Sequence, residues 1–371
     1  MQPPVLERIG VGYLRRRAPA VRADGRGAER PRAHVLTDDE QRGLRVVERD
    51  AITTGAVAGA FFGLIAGAGE MLARHLYGAE GAGDKLAYWS VVGAFAAMSS
   101  VLEVIYLYWS GLRSVHRLAQ VAGVDLFPGG ARDERVSVAS ALARAALELP
   151  NPRQPVYGID PMRRASRLRM ALGTLAYKTK IGLTNFVLKA ILRRMLIRAL
   201  LRAWLPMIAV PVVAAWNGVI CWRVMREARI RAMGPSAARE LVDGAFAGAL
   251  ELSAEGKHAA WCAAGSAVVH KRDMHPNIVA LLNELAARLG DPVADGVDEA
   301  TALVESLRAL DARERQVVLG VLVAAVVLDG RVTRSERELL ERAHVAADTP
   351  LDLARVEAGA RAFVAGQHMT G

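Results

Sequence analysis

Few reactive side chains in this sequence are spaced as they would be in a catalytic or metal-binding motif. Three histidines, His258, His270 and His275, lie in one segment with Cys262, but their arrangement matches no established zinc-binding motif. The second cysteine, Cys221, has no such neighbour, so the cysteines indicate a reducing compartment rather than a disulfide framework. We find no phosphate-binding loop, nucleophile elbow or dinucleotide fingerprint. We therefore predict no catalytic residue, no cofactor and a protein that is not an enzyme.

Glu103 stands apart because its carboxylate lies inside a long apolar run. The run extends from Leu86 to Leu112, and Glu103 is the only charged residue within it. An ionisable group inside a membrane is a candidate for an ion or proton pathway. The alternative is that this side chain reaches the nearby membrane interface or bonds a neighbouring helix. We favour the alternative, because Glu103 lies only about one turn inside the aromatic residues that close the run.

The composition indicates a chain that is partly embedded in a membrane. It is 52% hydrophobic and 23% charged, with a mean hydropathy of +0.19, which is too apolar for an ordinary soluble protein and too charged for a membrane protein throughout. Aromatic residues make up only 5% of the chain, whereas glycine is abundant, and this favours closely packed helices over a sheet. We predict an all-α fold.

Two apolar runs predict a transmembrane helical hairpin in residues 37–117. The spans cover residues 51–72 and 86–110, and each is long enough to cross a bilayer core of about 30 Å. A capping box formed by Thr37 and Glu40 predicts where the first helix begins.

A repeated small residue predicts how the first span packs. Every fourth position carries a glycine, which gives one side of the helix a face for close helix packing, or glycine zipper, at Gly55, Gly59, Gly63 and Gly67. The second span has its own small face at Ser90, Gly93, Ala97 and Ser100. We expect the two faces to meet within the hairpin, and the glycines could also support a homo-oligomer.

Flanking arginines predict the orientation of the hairpin. Arg42, Arg45 and Arg49 precede the first span, and Arg113 and Arg117 follow the second. Basic residues are retained on the cytoplasmic side of a membrane. We therefore expect both termini in the cytoplasm, at a bacterial inner membrane.

The net charge of +10 is concentrated between Asp160 and Arg202, within a region 118–235 that we expect to associate with the membrane. A basic amphipathic helix there would place its charges on anionic lipid headgroups through Lys189, Arg193, Arg194, Arg198 and Arg202. Nucleic acid is the rival partner for such a cluster. Lipid is favoured over nucleic acid because an apolar segment follows directly.

Residues 1–36 show little periodicity and predict a mobile basic arm.

The apolar segment 203–222 contains Pro206 and Pro211 and has arginines on both sides. A single crossing would export one of these basic clusters, so we favour a re-entrant helix and keep a third full span as the alternative. The stretch from Leu205 to Arg226 resembles, over a short length, the proline-containing segment of EcsC-family bacterial membrane-associated proteins.

The chain changes to soluble amphipathic helices after Gly234 and Pro235, which predicts a cytoplasmic domain over residues 236–371. The sequence from Val326 to Glu336, followed by Leu339 and Leu340, resembles the repeated unit of TerB-like, tellurite-resistance-associated helical domains. This resemblance implies a role linked to metal or membrane stress, with Asp329 and Glu336 as the acidic pair of a metal site. The residues themselves favour a turn at Asp329 and a second capping box formed by Thr333 and Glu336 instead.

These observations together predict a membrane-anchored protein in which a hairpin and basic helices bind the bilayer and a TerB-like domain binds a protein partner. The leading functional hypothesis is a non-enzymatic adaptor or stress-associated scaffold. The alternative is a component of a transporter or an ion or proton channel that uses Glu103.

Overall fold

The computed structural model describes residues 4–17, 34–78, 85–127, 137–152, 154–163, 205–247, 251–292 and 296–369. Within these ranges the regular structure is helical, apart from one isolated bridge between Val156 and Ile159. In chain order the helices are α1 (Val5–Arg17), α2 (Asp38–Tyr77), α3 (Lys85–Val121), α4 (Val138–Ala146), α5 (Leu205–Ala245), α6 (Ala254–Lys271), α7 (Pro276–Leu289), α8 (Ala300–Ala309), α9 (Ala312–Val327), α10 (Arg334–Ala346) and α11 (Leu353–Ala365). The all-α prediction is confirmed for this part of the chain.

Three long helices, α2, α3 and α5, form the centre of the fold. They contain 40, 37 and 41 residues, which correspond to lengths of about 55 to 60 Å. Both α3 and α5 pack along α2 and run in the opposite direction to it. The predicted capping box is present at the start of α2, where the Glu40 backbone N–H donates to the Thr37 hydroxyl and the Thr37 N–H donates to the Glu40 carboxylate.

Each of these three helices has two different halves. One half lies in the hydrophobic core that α1, α4 and the C-terminal helices complete, with buried residues such as Leu44, Leu118 and Met225. We call this part of the molecule the body. The other half comprises residues 55–77 of α2, 85–109 of α3 and 205–222 of α5, and we call it the apolar half. Large apolar side chains there are exposed, among them Phe61, Val101 and Val219.

Side-chain caps mark the starts of two C-terminal helices, α9 and α10. The Glu314 N–H donates to the Asp311 side chain at the start of α9, at 2.8 Å. Thr333 and Glu336 form the second predicted capping box at the start of α10. A buried amide, Asn277, joins α7 to two other elements because it donates to the carbonyl oxygens of Ile230 and Leu328.

The prediction of a mobile arm for residues 1–36 is wrong for α1. Leu14 is fully buried, and Glu7 of the same helix accepts a hydrogen bond from Ser140 and pairs with Arg144 of α4. The inner face of α1 consists of Glu7, Gly10 and Leu14, so only one of its three residues has a large apolar side chain and the apolar periodicity is weak. Further along, the Leu36 N–H donates to the Gly366 carbonyl oxygen at 2.9 Å.

The apolar segment, described from Leu205 onward, does not reverse direction, since α5 is continuous from Leu205 to Ala245. Pro211 lies within this helix and removes one backbone donor, but it does not reverse the chain. Gly234 and Pro235 lie inside α5 as well, so the boundary predicted between residues 235 and 236 falls in the middle of a helix.

Candidate functional site

The glycine face of α2 contacts α5, not the predicted partner α3. A Cβ atom added to Gly59 would lie 2.8 Å from the Val213 carbonyl oxygen, which is closer than an ordinary van der Waals contact. A Cβ atom added to Gly55 would overlap the Cys221 sulfur. The backbones of α2 and α5 can therefore approach this closely only because these two positions lack side chains.

The glycine spacing is regular in sequence, but the contacts are not equal. A Cβ atom on Gly63 would meet Val210 at 3.6 Å, an ordinary contact distance. Gly67, the last glycine of the series, is half-buried. The tight part of this contact, which we call the seam, is thus centred on Gly55 and Gly59.

The contact between α2 and α3 uses other residues. The Ser99 hydroxyl donates to the Phe62 carbonyl oxygen at 2.6 Å. Gly69, which is outside the predicted glycine series, lies so close to Phe95 that an added Cβ would overlap that side chain. The predicted small face of α3 points outward at three of its members, Ser90, Gly93 and Ala97.

Glu103 lies where the three long helices meet. Only 3% of its surface is exposed, and its carboxylate accepts a hydrogen bond from the Asn217 side-chain amide of α5 at 2.6 Å. Asn217 is itself fully buried, and Gly59 leaves the space that its amide occupies. The structure thus joins the predicted polar residue to the predicted glycine face through Asn217. Sequence reasoning overlooked Asn217, although an amide inside an uncharged segment is a known signal for helix contact.

Two of the described helices, α2 and α3, are long and apolar enough to cross a membrane. Their apolar residues do not form an interior core. In the most apolar stretch of α2, 28% of the residues are buried, and in that of α3, 17%. Large side chains on all three helices face outward, including Val57, Phe61 and Leu64 of α2, Val101, Leu102 and Ile105 of α3, and Val212 and Val219 of α5. We call this surface the apolar belt.

Exposed tryptophans lie at both ends of the apolar belt. Trp89 is near the start of α3, and Trp109 lies about 30 Å further along the same helix. Trp222 of α5 lies close to the level of Trp109, because α5 runs parallel to α3 and the Glu103–Asn217 hydrogen bond fixes their relative height. This separation equals the usual thickness of a bilayer core.

A small cavity lies where the apolar half joins the body. It has a volume of about 30 Å³ and is lined by residues of α2, α3 and α5 that include Ala51, Val104, Tyr108 and Cys221. Sites for drug-sized ligands have volumes about ten times larger. The cavity accommodates roughly one water molecule and cannot hold an organic substrate.

Asp329 and Glu336, the acidic pair that the TerB-like resemblance implies as a metal site, both form ion pairs with Lys271. The Lys271 ammonium group lies 2.5 Å from Asp329 and 2.9 Å from Glu336, and all three side chains are largely buried. Glu336 also caps α10 through Thr333. A metal ion at Asp329 and Glu336 would have to displace Lys271.

The histidines and cysteines do not come together in one cluster. His258 contacts Cys262 at 3.4 Å, whereas His270 donates to the Ser266 carbonyl oxygen and His275 donates to the Glu227 carboxylate. No group of three or more potential metal ligands is found among the residues that the structure describes. Burial raises the pKa of the Cys262 thiol to about 12, so this sulfur is protonated at neutral pH.

Glu227 of α5 forms a charged contact between helices in the body. Burial by itself would raise its pKa, but the hydrogen bond with His275 and the charge of Arg231 outweigh burial and lower the pKa to about 2. The Arg231 guanidinium group also donates hydrogen bonds to the Ala141 carbonyl oxygen and to the Asn151 side-chain oxygen. This contact holds α4, α5 and α7 together.

The predicted lipid-facing residues Lys189, Arg193, Arg194, Arg198 and Arg202 lie outside the described residues.

A comparison of the chain with known family models, curated proteins and solved structures produced no match.

Proposed function

We propose that this protein is a membrane-anchored helical adaptor whose apolar half lies in the bacterial inner membrane and whose body lies in the cytoplasm. The apolar belt is the observation that carries this proposal. Large apolar side chains face outward on three neighbouring helices over about the thickness of a bilayer core. A continuous apolar surface of this kind causes aggregation in water, whereas lipid acyl chains cover it without cost.

The first half of α5 belongs to this anchor. It packs on the tight part of the glycine face and runs antiparallel to α2, so that Leu205 lies near the level of Gly67. We therefore propose that residues 205–222 lie across the bilayer beside α2 as a further membrane-embedded helix that leads back to the body. The glycine face is used within the chain, so a homo-oligomer would need another surface.

The body supports an adaptor role better than an enzymatic one. Its buried polar groups, such as Lys271 with its two carboxylates and Glu227 with His275, pair with each other and hold helices together. We propose that the body, including the TerB-like region, presents a helical surface to a protein partner. A stress-associated scaffold is the form of this function that the resemblance to TerB-like domains implies.

A charged residue in the apolar belt tests the membrane anchor. Val101 is 58% exposed in the middle of α3, and Val345 is 81% exposed on α10 of the body. A lysine at the centre of a membrane helix costs about 3 kcal/mol, whereas an exposed lysine in water costs almost nothing. We expect Val101→Lys to reduce the membrane-integrated fraction in a carbonate extraction and flotation assay, and Val345→Lys to leave it unchanged. Equal behaviour of both variants, or a full-length chain that stays soluble without detergent, contradicts the proposal.

The alternative function, transport of ions or protons, depends on Glu103. Its carboxylate is buried within the apolar half, which is the one observation in favour of a pathway. The contact with Asn217 instead supports a structural role. Replacing Glu103 by glutamine separates the two, because an adaptor should reach the membrane and bind its partner unchanged. A transport protein should lose proton or ion flux in reconstituted vesicles.

A further inference from the structure

Three arginines surround the long helices where the apolar half joins the body. They are Arg49 of α2, Arg113 of α3 and Arg223 of α5, and all three are exposed. We call them the arginine collar.

Helix geometry places the collar at one level. Along the helix axes and toward the body, Arg223 lies about 9 Å beyond Asn217. Arg113 lies about 15 Å beyond Glu103 in the same direction. The α2 arginine lies about 9 Å beyond Gly55, which itself faces α5 close to Asn217. The three charges therefore lie within about one helical turn of each other in height, although they are on different helices.

Two carboxylates on α2 beside Arg49 pair with other bases. Asp50 pairs with Arg117 at 3.3 Å, and Glu48 pairs with Arg229 at 3.3 Å. Among the described residues, no acidic side chain pairs with any arginine of the collar. The collar therefore presents uncompensated positive charge to its surroundings.

The apolar side of the collar carries tryptophans. Trp109 is 43% exposed and Trp222 is 50% exposed, each within about one turn of a collar arginine. The Arg113 guanidinium group lies 5.7 Å from the centre of the Trp109 ring. Tryptophan is enriched at the headgroup level of membranes, and a planar guanidinium group binds phosphate oxygens with two hydrogen bonds.

We infer that the arginine collar binds the phosphate groups of anionic phospholipids in the cytoplasmic leaflet. This inference rests on the proposed membrane anchor and specifies the lipid class that the anchor selects. Anionic lipids satisfy the uncompensated charge, while their acyl chains cover the adjacent apolar belt. A basic residue near an anionic surface changes lipid affinity by about fivefold, so the complete collar should favour anionic over zwitterionic lipid by about a hundredfold.

Energy transfer from the native tryptophans to labelled lipids tests this preference. The full-length chain is reconstituted into phosphatidylcholine vesicles that contain a small fraction of either dansyl-phosphatidylglycerol or dansyl-phosphatidylcholine. We expect stronger transfer to the anionic probe, and we expect added salt to reduce the difference. The triple variant Arg49→Gln, Arg113→Gln and Arg223→Gln should transfer equally to both probes.

A matched variant controls for net charge. Arg313→Gln, Arg334→Gln and Arg355→Gln remove the same charge from exposed positions of the C-terminal helices and should keep the preference for phosphatidylglycerol. The inference is overturned when the wild-type chain enters the vesicles but shows no preference, or when the collar variant keeps the preference. A chain that does not enter the vesicles at all overturns the membrane anchor as well.

Discussion

Alanine substitutions at Gly59 and Gly63 test the seam, because these positions look equivalent in sequence but differ in space. A Cβ atom at Gly59 would lie 2.8 Å from the Val213 carbonyl oxygen, and this distance must increase to about 3.4 Å before the contact is tolerated. The obstacle is backbone, so a side-chain rotation cannot relieve it. A Cβ atom at Gly63 would meet its nearest neighbour at 3.6 Å and would need no movement.

These distances lead to opposite changes in stability. Overpacking costs about 1 to 3 kcal/mol, and the better helix propensity of alanine offsets about 1 kcal/mol of it. Gly59→Ala should therefore lower the free energy of unfolding by about 1 kcal/mol, whereas Gly63→Ala should raise it by about 1 kcal/mol. The expected difference between the two variants is about 2 kcal/mol.

Unfolding of the full-length protein in one detergent, followed by helical circular dichroism and by tryptophan fluorescence, measures this difference. Gly93→Ala is the matched control, because an added Cβ on this glycine of α3 meets nothing within 4 Å. The control should behave like Gly63→Ala. Equal stability of the Gly59 and Gly63 variants would refute the close approach of α2 and α5.

Three further substitutions test buried polar contacts by the same unfolding measurements. Asn217→Ala should lower the free energy of unfolding by about 1 to 3 kcal/mol, because the buried Glu103 carboxylate loses a donor; an unchanged value would contradict the contact. Lys271→Met should cost about 3 to 5 kcal/mol, because two buried carboxylates lose their cation, and a neutral result would mean that they are not paired. Glu227 has a pKa lowered from 4.5 to about 2, so its contribution to stability is complete above pH 4.5 and is lost as the pH falls toward 2. Glu227→Gln should remove this pH dependence, and a dependence that persists in the variant would contradict its assignment to Glu227.

Local sequence signals predicted the parts of the fold that local interactions determine. The capping boxes at Thr37 and Thr333 involve groups three residues apart, and both are present. The apolar runs within α2 and α3 were recognisable for the same reason, since length and side-chain type are local properties. Helix α1 was not predicted, and its Glu7 pairs with Arg144, which is far away in sequence.

The candidate site could be predicted only in part, because its contacts connect distant segments. The four-residue spacing identified the glycines of α2 but not the helix that packs against them. We expected α3, the next helix in the hairpin, whereas the structure places α5 there. Glu103 was recognisable as a buried charge, while its partner Asn217 lies in a different segment. The pairing of Lys271 with Asp329 and Glu336 likewise depends on the packing of α6 against the start of α10. None of these pairings leaves a periodic signal in the sequence.

The continuity of α5 has a mechanical consequence. One unbroken helix of 41 residues, about 60 Å long, has one end in the apolar half and the other in the core of the body. A rigid rod of this length transmits rotation, so a tilt of about 10° at one end displaces the other by about 10 Å. In a membrane-embedded chain, a change in bilayer thickness that alters helix tilt would therefore reorient the helices of the body together.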